Sequence, residues 1–212
     1  MLRPYADHKL FHWGFHIGMH TSDLVLANRG GIPEGEPFAG SALYGGQTHF
    51  SPGFSVGVVA DYSPRLWLSL RFLPTLHFGE NRLAFTDMAE AAESFTLKRN
   101  IVELPLLVKL SSRRFNNTRP YIIAGPYAAL QVGQRKDAPL AFNLIDAGIS
   151  CGVGCDIYLR YFKLAPELRL SWGLTDMLRH SRPEFDQDNR LIYTQSLKNI
   201  QGRMILLTFN FE

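Results

Sequence analysis

Along the 212 residues of this chain, eight segments alternate apolar side chains with small or polar ones, and the connections between them are alternately long and short. A period of two is the signature of a β-strand whose two faces meet different surroundings. Long connections at one end and short ones at the other are what an antiparallel barrel crossing an outer membrane produces. The pattern therefore predicts an all-β fold, an eight-stranded antiparallel transmembrane β-barrel with long extracellular loops and short periplasmic turns.

The first segment, His12–Thr21, sets Trp13, Phe15, Ile17 and Met19 against His12, Gly14, His16, Gly18 and His20. Gly53–Asp61 follows, with Phe54, Val56, Val58 and Ala60 on one face. In Arg65–Phe78, Leu66, Leu68, Leu70, Phe72, Pro74, Leu76 and Phe78 oppose Trp67, Ser69, Arg71, Leu73, Thr75 and His77. Lys98–Leu110 sets Asn100, Val102, Leu104, Leu106, Val108 and Leu110 against Glu103, Pro105 and Lys109. Arg119–Gly133 is the least regular, because Tyr121, Ile123 and Tyr127 compete with Ile122, Leu130 and Val132 for the outward side. Leu144–Ile157 alternates Ile145, Ala147, Ile149, Cys151, Val153 and Cys155 with Asp146, Gly148, Ser150, Gly152, Gly154 and Asp156. Tyr161–Leu174 sets Phe162, Leu164, Leu168, Leu170 and Trp172 against Lys163, Glu167, Arg169 and Ser171. The last segment, Gly202–Phe211, places Ile205, Leu207, Phe209 and Phe211 opposite Met204, Leu206, Thr208 and Asn210.

Ser22–Pro52, Gly79–Leu97, Gln134–Asn143 and Thr175–Gln201 are the long or polar connections, and Tyr62–Pro64, Ser111–Thr118 and Tyr158–Arg160 the short ones. A bacterial barrel starts in the periplasm, so the long loops are expected outside the cell and both termini in the periplasm. Residues 1–212 then form a single outer-membrane barrel domain, with 1–11 as a periplasmic N-terminal segment. Met1–Phe11 lacks the apolar core of a secretory leader, so a mature or trimmed form is expected. Glu212 follows the last aromatic residue, and the terminal-Phe form of the barrel-assembly signal is not met to the letter.

Composition is mildly apolar, with 46% hydrophobic and 19% charged residues. The chain contains no run of about twenty consecutive apolar residues, which excludes a spanning helix. The formal charge of +3 is small, and no Lys/Arg run has the density that nucleic-acid binding requires. Arg113–Arg114, in a short connection, suits a partner or lipid headgroups instead.

Motifs of catalysis and metal binding are absent. No GxSxG, HExxH or Walker-type sequence occurs, and Gly148, Gly152 and Gly154 lack the strand–turn–helix context of a dinucleotide loop. These glycines read as space for neighbouring inner side chains. Cys151 and Cys155 share a strand face roughly 13 Å apart, too far for a disulfide, and read as small lipid-facing residues. His12, His16 and His20 share one face, but alternate positions lie roughly 7 Å apart along a strand. With no companion ligand motif they read as part of a polar inner face. The expectation is a non-enzymatic protein with no catalytic residue, cofactor or metal.

Buried chemistry is expected on the inner face, at Arg71, Glu103, Lys109, Asp146, Asp156, Lys163, Glu167 and Arg169. An eight-stranded lumen is just wide enough for side chains to fill, and unpaired charges in such a space are costly. The prediction is an interior plug of ion pairs centred on Arg71, Glu103, Glu167 and Arg169, with function on the loops, the turns or the lipid-facing wall. The loop sequences Gly30–Pro37 and Arg179–Arg190 stand out there. Trp13, Trp67, Tyr121, Tyr161 and Trp172 are candidates for membrane-interface girdles, although the parity of Trp67 also allows a place at the lumen end.

HWGFHIGMHTSDL (His12–Leu24), SPGFSVGVVADYSPRLWLSLRFLPTLHFGE (Ser51–Glu80), LPLLVKLSSRRFNNTRPYIIAGPYAA (Leu104–Ala129), CGVGCDIYLRYFKLAPELRLSWGLTDML (Cys151–Leu178) and RMILLTFNFE (Arg203–Glu212) occur in that order. Together they resemble the PorT family, called SprT in gliding bacteria, of outer-membrane barrels from Bacteroidota. The resemblance implies a component of the type IX secretion system, which exports proteins bearing a C-terminal signal, and in gliding species a need for it in motility. It also implies outer-membrane lipid and other type IX components as partners, with no nucleic acid and no small-molecule substrate. The fold alone leaves open a small outer-membrane barrel that binds or transports a ligand. A soluble lipocalin-like barrel is weaker, because it leaves the inner-facing charges without a place.

Overall fold

The computed structural model describes residues 10–28, 43–47, 52–87, 92–132, 145–175 and 197–212. Ten strands run in chain order: β1 (Phe11–Asn28), β2 (Leu43–Gln47), β3 (Pro52–Arg65), β4 (Leu68–Phe72), β5 (Thr75–Asp87), β6 (Ala92–Ser111), β7 (Thr118–Val132), β8 (Ile145–Tyr158), β9 (Lys163–Gly173) and β10 (Leu197–Phe211). All pairings are antiparallel, and β1 pairs with both β3 and β10, which closes the sheet.

Two of the ten strands do not add staves. β4 and β5 are one stave interrupted at Leu73–Pro74, and their pairing with β6 keeps a single register from Phe72↔Leu106 to Thr75↔Glu103. Pro74 has no N–H to donate, yet its carbonyl accepts from Val58 N at 3.0 Å, so the ladder holds. β2 pairs with the outer part of β5, beyond the reach of β3. The result is the expected eight-stranded antiparallel barrel.

The strands run further than alternation suggests. Gly79–Leu97, expected as a loop, is mostly a β5–β6 hairpin extension paired from Gly79↔Arg99 to Thr86↔Ala92. β1 and β10 likewise continue past the expected ends, from Ser22↔Met204 to Asn28↔Leu197. Backbone pairing does not require an apolar face, so polar sequence there does not end a strand. The remaining loop sequences, including Gln134–Asn143, Gly30–Pro37 and Arg179–Arg190, lie outside the described residues.

At the end nearest Glu212, hereafter the turn end, the connections are short. The first bends at Leu66–Trp67 and not at Tyr62–Pro64, because β3 stays paired through Arg65↔Leu68 and Ser63 N donates to Leu10 O at 2.8 Å. In the second, Asn116 takes a left-handed φ of 55°, a conformation that asparagine tolerates better than most residues. Leu159 N donates to Phe162 O at 3.0 Å in the third. Arg119 ties the first two together, its guanidinium donating to the carbonyls of Ser112 and Leu66.

Inside and outside follow strand parity. Trp13, Phe15, Met19, Phe54, Val58, Leu76, Ile122, Val153 and Leu168 face outward and exposed, as do Trp172 and Tyr161. One aromatic assignment changes: Tyr121 points into the lumen, because Ile122 takes the outward side of β7. Of the two places open to Trp67, it takes the exposed one, in the Leu66–Trp67 turn.

Glycines make room within the lumen. Gly154 pairs with Tyr121 and Gly148 with Tyr127, and a Cβ on either glycine would collide with the facing tyrosine ring. On Gly152 a Cβ would press on Arg169. Gly154→Leu is therefore expected to overpack the lumen and cost about 1–3 kcal/mol. Urea unfolding in phospholipid vesicles measures it, with outward Val153→Leu as the near-neutral control. Equal midpoints for the two variants would refute this packing.

Candidate functional site

The lumen is filled in layers along the barrel axis. Nearest the turn end lies a charged layer. Next comes an apolar layer of Val59, Leu73, Leu107 and Ile123, and beyond it a layer of histidines, hydroxyls, Glu103 and Arg169. Inward Glu167 and Arg169, two residues apart on β9, reach into the first and the last of these.

Arg71, fully buried, organises the charged layer. Its Nε and Nη2 donate to Asp61 Oδ2 at 3.1 and 2.8 Å, Nη2 also to Glu212 Oε1 at 2.8 Å, and Nη1 to Glu167 Oε2 at 3.3 Å. Lys109 Nζ donates to both oxygens of Asp156 at 2.9 and 2.7 Å, and Lys163 pairs with Glu212. The Tyr121 hydroxyl donates to Glu167 Oε2 at 2.8 Å, and its ring lies 4.0 Å from Lys109 Nζ. Three cations, Arg71, Lys109 and Lys163, thus meet four carboxylates, Asp61, Asp156, Glu167 and Glu212. Bidentate and shared charge-assisted bonds of this kind are the strong class of hydrogen bond.

The second polar layer is a chain. His20 Nδ1 lies 2.7 Å from Ser55 Oγ, Ser55 Oγ 2.8 Å from His77 Nδ1, and His77 Nε2 2.6 Å from Glu103 Oε2. With Glu103 ionised, His77 donates from Nε2 and, when neutral, accepts at Nδ1 from Ser55, whose oxygen accepts from His20. Thr75 donates its proton to Leu73 O at 2.7 Å, so His16 Nε2, 3.0 Å from Thr75 Oγ1, must be the donor there. Arg169 Nη2 stands 3.7 Å from Glu103 Oε2.

The order Ser55–His77–Glu103 copies a nucleophile, its base and an orienting carboxylate. Ser55 is fully buried, however, and its oxygen is shared with His20, which leaves no approach for a reacting carbonyl. No cluster of three or more His, Cys, Asp or Glu among the described residues has metal-binding geometry. Cys151 and Cys155 are free thiols on the outer side of β8. Between the charged layer and the turn end lies a cavity of about 290 Å3, bordered by His12, Trp13, Leu66, Arg119, Tyr158 and the Asp61, Lys109, Asp156, Lys163 and Glu212 side chains.

Of the eight residues singled out from sequence, Arg71, Lys109, Asp156, Lys163 and Glu167 meet in the charged layer, and Glu103 and Arg169 in the second. Asp146 stands apart toward the other end, where Thr175 donates to it at 2.5 Å. Asp61, Tyr121 and Glu212 were not anticipated as members. Parity was the available signal for Asp61 and Glu212, since each falls on the inner phase at the tip of its segment.

Arg71→Met would leave Asp61, Glu167 and Glu212 facing one another around a missing cation. It is expected to cost about 3–5 kcal/mol in unfolding from lipid vesicles, and Asp61→Asn on the Arg71→Met background should recover part of that loss. An Arg71→Met barrel as stable as the unsubstituted one would contradict this account of the layer.

No curated protein matches the chain. Among solved structures it is similar to the N-terminal β-barrel domain of Pseudomonas aeruginosa OprF, at 14% identity and a TM-score of 0.36 over 93% of this chain and 96% of that one, a likeness too distant to bear on function. Residues 3–179 match the family described as outer membrane protein beta-barrel domain, and the chain belongs to that family: it is a β-barrel of the outer membrane.

Proposed function

We propose that this barrel is a non-enzymatic component of the type IX secretion system of Bacteroidota, required for export of proteins with a C-terminal secretion signal and, in gliding species, for motility. The observation that carries the reading is the ordered set of long sequence blocks resembling the PorT/SprT family, from His12–Leu24 to Arg203–Glu212. The lumen supports it: ion pairs and packed side chains occupy the space that a solute path needs, so the work falls to the loops and turns. In this reading the turn end and both termini face the periplasm, and other secretion components are the partners.

A second reading, a small barrel that binds a ligand, is favoured by the cavity of about 290 Å3 beside the charged layer. Its charges are already matched by one another, which leaves less for a solute to bind.

Deletion in the native host, followed by an assay of C-terminal-signal cargo in the medium, separates the two. The expected result is cargo retained in the cell and restored export on complementation with the full chain. Normal export by the deletion strain would reject the secretion role.

A further inference from the structure

The three turns at the turn end carry four arginines, Arg65, Arg113, Arg114 and Arg160, and no acidic residue. Each also presents an exposed aromatic ring: Trp67 at 51%, Phe115 at 64% and Tyr161 at 81% exposure. Arg65 Cζ lies 5.8 Å from the Trp67 ring centroid, and Arg160 Cζ lies 5.8 Å from that of Tyr161. Arg114 is engaged otherwise, stacked 3.7 Å over Tyr158 and donating to Asn116 O at 3.1 Å.

The other arginines of this rim differ from the four cations of the two polar layers. Arg71, Lys109, Lys163 and Arg169 each face a carboxylate, whereas exposed Arg65, Arg113 and Arg160 have none among the described residues. Toward the opposite end the described residues carry both signs, with Asp23 in register with Arg203. The single-sign rim joins the outward apolar wall directly through exposed Phe11, Tyr62 and Leu66. Aromatic residues beside arginines at the edge of a lipid-facing wall occupy headgroup depth. There a guanidinium matches the geometry of a phosphate and is drawn to anionic lipid.

We propose that Arg65, Arg113 and Arg160, each on a separate turn, form a belt that binds the phosphates of anionic phospholipid headgroups. Charge complementarity and continuity with the lipid-facing wall favour lipid over protein as the occupant. The belt depends on the chain being a membrane barrel and not on the secretion role, so the two fail separately.

The test is native mass spectrometry of the full chain purified in detergent and offered equal amounts of phosphatidylglycerol and phosphatidylcholine with matched acyl chains. Retention of phosphatidylglycerol should exceed that of phosphatidylcholine several-fold. The preference should approach parity in the R65Q/R113Q/R160Q variant while heat-modifiable mobility shows a folded barrel. Should that variant fail to fold, thermal stabilisation of the unsubstituted protein by phosphatidylglycerol must weaken as salt is raised. Equal retention of both lipids by the unsubstituted protein, salt-independent stabilisation, or a folded variant that keeps the preference would overturn the proposal. A folded variant that keeps the preference but loses a co-purifying membrane protein would assign the rim to a protein partner instead.

Discussion

Charges held in a space too narrow for bulk water must answer one another, and this constraint organises the molecule. An eight-stranded barrel leaves a lumen that side chains fill, and the effective cost of burying an isolated ion is several kcal/mol. Arg71 meets the constraint by touching carboxylates from three other strand positions: Asp61 on β3, Glu167 on β9 and Glu212 just beyond β10. Because β1 closes the sheet between β3 and β10, the same contacts tie together the staves on either side of the closing strand. Removing one partner of such a network costs more than the network adds over an apolar substitute, because it leaves a buried charge uncompensated.

The packing around that network is complementary in size as well as in sign. Where Tyr121 and Tyr127 lean across the lumen, the facing β8 positions are Gly154 and Gly148. An apolar layer of Val59, Leu73 and Leu107 separates the charged layer from the histidine–serine chain, so the two polar networks do not merge. β3, β6 and β9 each reach both, through Asp61 and Ser55, Lys109 and Glu103, and Glu167 and Arg169. Outside, the same strands present an apolar wall to lipid and need nothing of the lumen chemistry.

Much of this is legible in the residues, and the exceptions have physical causes. Period-two alternation in Arg65–Phe78 puts Arg71 inward and Phe72 outward, and so it is. Lys109, Asp156, Lys163 and Glu167 could be assigned to the lumen one strand at a time. Which of them touch could not, because contacts across a barrel depend on stagger between strands that local alternation does not encode. Asp146 is a different case: ten residues before Asp156 on the same face of β8, it stands at the other end by strand rise alone. Tyr121 was ambiguous because both phases of β7 are apolar at that point. The β5–β6 extension was invisible because it is held by backbone pairing, to which side-chain polarity is indifferent.

A lumen crossed by its own ion pairs and by an apolar layer leaves no continuous path for ions along the barrel axis. Single-channel recording of the purified full chain in planar lipid bilayers, at both polarities, tests that claim most directly. The expected record is a baseline without sustained conductance steps. Large, stable steps from the unsubstituted protein would show that the lumen is open to ions and would contradict the closed, charge-paired interior.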